Sequence, residues 1–204
     1  EAGTAGPIDD YRFDGKTDPQ IVRELLTLAG HPDATTPSLI AAVCGRYVEA
    51  LREELEGAPD GTRLFAGVAA LLTALEAHES AGRAVVGLLT GNVKAGADLK
   101  LRAAGVEPGR FAVGAYGSDS GRRAELPAIA AQRATELTGT PFAGADLVII
   151  GDTPDDVACG RPIGARSVAV ATGFYDTAAL RAAGATHVFE SLADTAAVLE
   201  ALLA

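Results

Sequence analysis

The chain has 204 residues, enough to bury one large core or two modest ones. Hydrophobic residues make up 48% of it, yet no apolar run is long enough to cross a bilayer as a helix, and no stretch combines a basic start, an apolar middle and a small-residue cleavage site. A formal net charge of −10 argues against broad nucleic-acid binding, which needs clustered Lys and Arg; it favours solubility and says little about a small-molecule partner.

The first third reads as helical. Asp18-Pro19 opens a segment with Ile21, Val22, Leu25, Leu26 and Leu28 at helical spacing, and Gly30 is its stop. Thr36-Pro37 opens a longer one that runs to about Glu56. Ala58-Pro59-Asp60-Gly61 is turn chemistry, and a third helix follows through Val68, Leu71, Leu72 and Leu75.

From residue 84 the rhythm changes. Short apolar runs at 84–89, 111–115, 146–150, 167–171 and 187–189 alternate with helical stretches near 93–104, 122–138, 154–163, 177–183 and 192–203. Strands that are apolar throughout and separated by helices predict a parallel sheet covered on both faces. The fold class is α/β: a doubly wound, Rossmann-like body with a helical insert at the front, joined near residues 57–65. Ser191, with Asp194 three residues on, predicts a capping box for the last helix. Cys44 and Cys159 lie far apart without metal-type spacing, which predicts two buried, reduced thiols and a cytoplasmic protein.

Ligands of open parallel sheets bind beyond the carboxyl ends of the strands, and two predicted strands end in polar signatures. After LVII comes Gly151-Asp152-Thr153-Pro154-Asp155-Asp156, three carboxylates within five residues. Thr153-Pro154 reads as a helix N-cap with Pro at the first position, so Asp155 and Asp156 fall in the first turn, where the helix dipole favours carboxylates. Asp152 sits at the strand end itself. It suits a hard cation such as Mg²⁺, or equally the acid of another α/β site. Thr90-Gly91-Asn92 reads either as an ordinary helix cap or as an anion cradle of a hydroxyl, a small residue and free N–H groups. The loop 118–123 brings Arg122 and Arg123, either solvated or placed to neutralise a phosphate. No GxGxxG, GxxxxGK[ST] or GxSxG motif competes, and His31, His78 and His187 sit in unrelated contexts.

Together, LLTGN at 88–92, GSDSGRRAEL at 117–126 and IIGDTPDDV at 150–157 resemble three of the four motifs of the haloacid dehalogenase-like hydrolases, in order and in spacing. FDGKTDPQI at 13–21 resembles the cap segment of the phosphoglycolate-phosphatase-like branch, and GARSVAVATG at 164–173 the strand after the last motif. The resemblance implies a helical cap over residues 1–64, a Rossmann-like core over 65–204, and an Mg²⁺-dependent phosphatase that forms an aspartyl-phosphate. It implies that Thr90 bonds a phosphoryl oxygen, with Gly91 and Asn92 beside it, and that Arg123, or else Arg122, supplies the positive charge. It further implies that Asp152 ligates Mg²⁺ and that Asp156 supports it. The partner is a small phosphorylated metabolite, with no nucleic acid and no membrane.

One motif departs from the family. The first, DxDGT after an apolar strand, supplies the nucleophile and precedes the cap; here Asp14-Gly15-Lys16-Thr17 mimics it weakly, with Arg12 in place of an acid. Asp9, Asp10 and Asp14 are therefore rejected as nucleophiles. The family's first strand lies between those bearing the second and fourth motifs, so its loss should leave two unpaired strand edges and an apolar cleft. With no Met in the chain, the expectation is that a native strand and helix precede Glu1. Two functions follow: a phosphatase whose nucleophile lies outside these residues, or a non-catalytic binding or regulatory protein that kept the fold and lost that motif.

Overall fold

The computed structural model describes residues 3–4, 6–58 and 61–204. Pro59 and Asp60 of the expected turn lie outside them. The chain divides into two compact units, the first formed by Glu1–Arg63, Thr90–Arg110 and Tyr116–Arg123, the second by Leu64–Leu89, Phe111–Ala115 and Ala124–Ala204.

In the first unit, helices α1 (Asp18–Leu28), α2 (Pro37–Gly57) and α4 (Lys94–Ala103) pack together. Thr17 caps α1: its hydroxyl accepts from the Gln20 N–H at 3.3 Å and donates to the Gly121 carbonyl at 3.1 Å. It is fully buried, so one side chain both starts the helix and ties it to the 117–121 loop. Beside it, Lys16, Tyr11 and Gln20 converge on Glu24, with Lys16 Nζ 2.7 Å from Glu24 Oε2. A cavity of about 470 Å³ is walled by Ile21, Leu25, Val43, Cys44 and Tyr47, with Lys16, Asp18, Asn92 and Lys100 on its polar side. Burial, and then the charge of Asp18, push the Cys44 thiol up to about 11, which keeps it an inert, protonated side chain at neutral pH.

The second unit carries α3 (Val68–Ser80), α5 (Leu126–Thr138), α6 (Pro154–Cys159), α7 (Thr177–Ala182) and α8 (Thr195–Leu203). Strands β3 (Val148–Gly151), β4 (Arg166–Val170) and β5 (His187–Phe189) form a parallel sheet in that order, with Gly151 opposite Ala169 and Ala169 opposite Val188. On β4, Val170 packs into a cluster with Leu71 and Leu75 of α3, Val198 of α8 and Leu192 from the turn before α8. Its neighbour Ala169 packs with Val157 and Leu180 from α6 and α7. Successive β4 side chains thus feed opposite faces, which is why SVAVA is apolar throughout. Both cysteines are buried and free, as their spacing implied.

Coverage is incomplete at β1 (Gly87–Thr90) and β3, where the sequence predicts open strand edges and an apolar cleft. Strands β1 and β2 (Val113–Tyr116) pair with each other and form a second sheet, separate from β3-β4-β5. Leu88 and Leu89 are only half-buried, and Ile150 is 40% exposed. The cause is an apolar cleft of about 380 Å³ lined by residues 85–89 of the β1 side and 147–150 of the β3 side. Among the described residues no strand joins the two sheets, so each has an edge without a hydrogen-bonded neighbour there.

Three helix ends also differ. The last helix starts at Thr195, with Asp194 as its cap accepting the Ala197 N–H at 3.2 Å, while Ser191 accepts the Ala193 N–H in the turn before. Leu192 is buried in the core, which keeps residues 191–193 out of the helix. Helix α6 stops at Cys159 because Gly160 and Pro162 follow, and a 3-10 turn over Arg161–Ile163 replaces its expected last turn. A similar turn over Arg123–Glu125 precedes α5.

Burial pushes the Glu24 carboxyl up, but hydrogen bonds from Lys16, Tyr11 and Gln20 outweigh it and hold it at about 2. A carboxyl with a depressed folded value stabilises the fold above its unfolded value and loses that contribution as pH falls towards the folded one. Urea unfolding between pH 6 and pH 2 should therefore show a loss of stability below about 4.5, tapering towards about 2, that Glu24→Gln removes. Parallel pH curves for the two proteins would contradict it.

Candidate active site

In the second unit, β3 delivers its last residue, Gly151, into a loop that turns straight into α6. Strand pairing stops at Gly151, so the N–H groups of Asp152 and Thr153 need another acceptor. Asp156 Oδ2 takes both, at 3.1 and 3.0 Å, and the Thr153 hydroxyl at 2.8 Å. Thr153 Oγ1 in return accepts the Asp156 N–H at 3.1 Å, completing a capping box with Pro154 in the first turn. Asp156 is 6% exposed, and any Cβ at Gly151 would overlap its carboxyl group. Asp155, by contrast, is exposed on the first turn, where the sequence placed it.

Asp152 lies beyond the carboxyl ends of β3 and β4. A Cβ at Gly173, three residues past β4, would overlap its carboxylate, so glycine there makes the room it occupies. Among the described residues no three His, Cys, Asp or Glu side chains cluster as a ligand set. One hard oxygen donor at a strand end fits Mg²⁺, which takes one or two protein carboxylates beside water and phosphate oxygens, and does not fit a zinc cage.

In the first unit, the Thr90-Gly91-Asn92 turn is tied down on every side. The Asn92 N–H donates to Thr90 Oγ1 at 3.2 Å, which uses a lone pair and leaves the hydroxyl proton to donate. The Gly91 carbonyl accepts from the Asp18 N–H, and the Asn92 carbonyl from the Gly117 N–H, both at 2.8 Å. Cβ atoms at Gly91 and Gly117 would overlap the Lys16 and Gly91 carbonyls respectively, so both glycines permit close backbone approach. The Asp18 carboxylate accepts from Asn92 Nδ2 at 3.1 Å and from the Val93 N–H at 2.7 Å. Asn92 Oδ1 accepts from Lys100 Nζ at 3.3 Å. Two donors at this turn, Asn92 Nδ2 and the Val93 N–H, thus face an internal anion, Asp18. Arg123 is half-buried in its 3-10 turn whereas Arg122 is exposed.

The fold is that of the haloacid dehalogenase-like hydrolases. Residues 124–195, from the 3-10 turn before α5 to the start of α8, match the family model described as HAD-hydrolase-like. A hydrolase from Pseudomonas syringae superposes with a TM-score of 0.71 at 21% identity, over 95% of this chain and 82% of that one. CbbY from Rhodobacter sphaeroides, in complex with phosphate, gives 0.61 at 18% over 88% and 75%. A haloacid dehalogenase-like family hydrolase from Streptococcus pneumoniae gives 0.51 at 18% over 67% and 60%. No curated protein matches the sequence significantly.

Asp18 and Gly173 were not singled out from the sequence. Asp18 showed only as an acid in a helix's first turn, since its partners lie 74 and 75 residues away. Because Asp156 satisfies several donors and Asp155 is exposed, Asp156→Ala should cost about 3 kcal/mol and Asp155→Ala under about 1 kcal/mol in urea unfolding. Equal losses would refute this division of roles.

Proposed function

We propose that the protein is an Mg²⁺-dependent phosphatase of small phosphate esters, acting through an aspartyl-phosphate whose nucleophilic aspartate lies outside these 204 residues. The observation that carries this reading is the end of β3, where Asp152 occupies the space left by Gly173 on a loop that Asp156 holds. The family match spans that loop. Asp152 would hold the cation, which when bound neutralises charge on the phosphoryl oxygens.

The chain's own residues supply the rest. Thr90 donates its hydroxyl proton to a phosphoryl oxygen, with Gly91 and Asn92 shaping the turn around it. Arg123 brings fixed positive charge; its half-burial favours it over Arg122 for that role. Asp156 acts by fixing the Asp152 backbone. Phosphoryl transfer asks for such positioning and charge neutralisation and for little other chemistry. Residues 1–64, as the cap, would select the metabolite and exclude water. The protein would act in the cytoplasm; no described helix is long and apolar enough to cross a membrane.

The cleft between β1 and β3 supports an external nucleophile. An extended apolar segment from outside these residues would pair with both edges and end near the tips of both strands. The 204 residues alone should then give no turnover by this route. Intact mass of the protein from its native source, set against the reading frame upstream of Glu1, shows whether a DxDGT sequence precedes it.

In a form that contains that segment, hydrolysis of a small phosphate ester should need Mg²⁺. Asp152→Asn should lower kcat/KM about a hundred-fold or more. Turnover undiminished by EDTA would sink the metal assignment.

A further inference from the structure

The side chain that touches the Thr90-Gly91-Asn92 turn most directly belongs to a different segment, the start of α1. The Asp18 carboxylate spans Asn92 Nδ2 and the Val93 N–H, and the Asp18 N–H holds the Gly91 carbonyl. Three bonds from one residue therefore fix three consecutive residues of the turn. The Asn92 N–H in turn engages Thr90 Oγ1. Asp18 is thus linked, through the covalent frame of Asn92, to the hydroxyl assigned to the phosphoryl group.

We propose that Asp18 is a positioning residue: its carboxylate sets the Asn92 backbone so that Thr90 Oγ1 is held as an acceptor from within the turn and its proton is directed to a bound phosphoryl oxygen. The inference rests on the phosphoryl-binding role of Thr90. Thr17 supports it by anchoring the same helix start to Gly121, two residues before Arg123. Lys100, bonded to Asn92 Oδ1, fixes the other end of that amide and offsets part of the Asp18 charge.

Charge alone and positioning make opposite predictions. Removing a carboxylate close to an anion site strengthens anion binding by Coulomb attraction if the carboxylate only repels or competes. Removing it weakens binding if the carboxylate holds the donors in place.

The probe is inorganic phosphate, titrated calorimetrically in the presence of Mg²⁺ into the form that contains the DxDGT segment and into its variants. Asp18→Ala and Thr90→Ala should each weaken phosphate about ten-fold, and the double variant should be little weaker than either, because both break one linkage. Asp18→Asn keeps one carbonyl acceptor and nearly the same shape. It should fold where Ala does not and should weaken phosphate by a smaller factor.

Tighter or unchanged phosphate binding in the Asp18 variants, with Thr90→Ala still weakened, overturns the positioning role and leaves the Thr90 assignment intact. So does a double variant whose losses simply multiply. Phosphate binding that is absent, or insensitive to Thr90→Ala, overturns the phosphoryl reading of Thr90 and this inference with it. A lowered melting temperature with unaltered phosphate affinity marks Asp18 as a structural cap only, and also overturns the proposal.

Discussion

A parallel strand that turns into a helix within three residues leaves backbone N–H groups with no partner in either element. At the end of β3 the protein resolves this with one buried side chain, Asp156, which accepts the N–H groups of both loop residues. At the Thr90-Gly91-Asn92 turn Asp18 does the same for the start of α4 from a distant part of the chain. In both places a carboxylate accepts donors that the turn presents. Glycines complete the arrangement: Gly151, Gly173 and Gly91 each stand where a Cβ would meet a carboxylate or a carbonyl.

The sheet imposes a second constraint. Strand β4 is buried on both faces and paired on both edges, and it needs nothing more. Strands β1 and β3 have the same apolar composition but face a shared cleft. Among the described residues no strand pairs with both of them, and apolar side chains of each line the space between.

How much of this was legible in the sequence follows from the range of each interaction. The β5 strand at 187–189, the Thr153-Pro154 cap and the burial of both cysteines are local or compositional, and they came through. Ser191 misled because its spacing to Asp194 mimics a capping box, while the burial of Leu192, a tertiary effect, decides where α8 begins. Asp18 was missed as a bridging carboxylate because nothing local distinguishes it from any acid in a helix's first turn. The cleft beside Leu88 and Leu89 was legible by another route: the apolar runs alone predict full coverage, but the lack of a DxDGT strand predicts an apolar cleft between β1 and β3, which is where it lies.

The crowding of Asp152, Asp155 and Asp156 then has a physical account that treats the three unequally. Asp156 has three hydrogen-bond donors on one oxygen, which offset the cost of burying its charge. Asp155 is solvated and lies in the favourable field of a helix start. Asp152 lies against the Gly173 backbone, in the room that glycine leaves. Like charges held on one loop repel, and a divalent cation offsets such repulsion more than a monovalent partner does. The Mg²⁺ site proposed at Asp152 would give this crowded strand end a counter-charge.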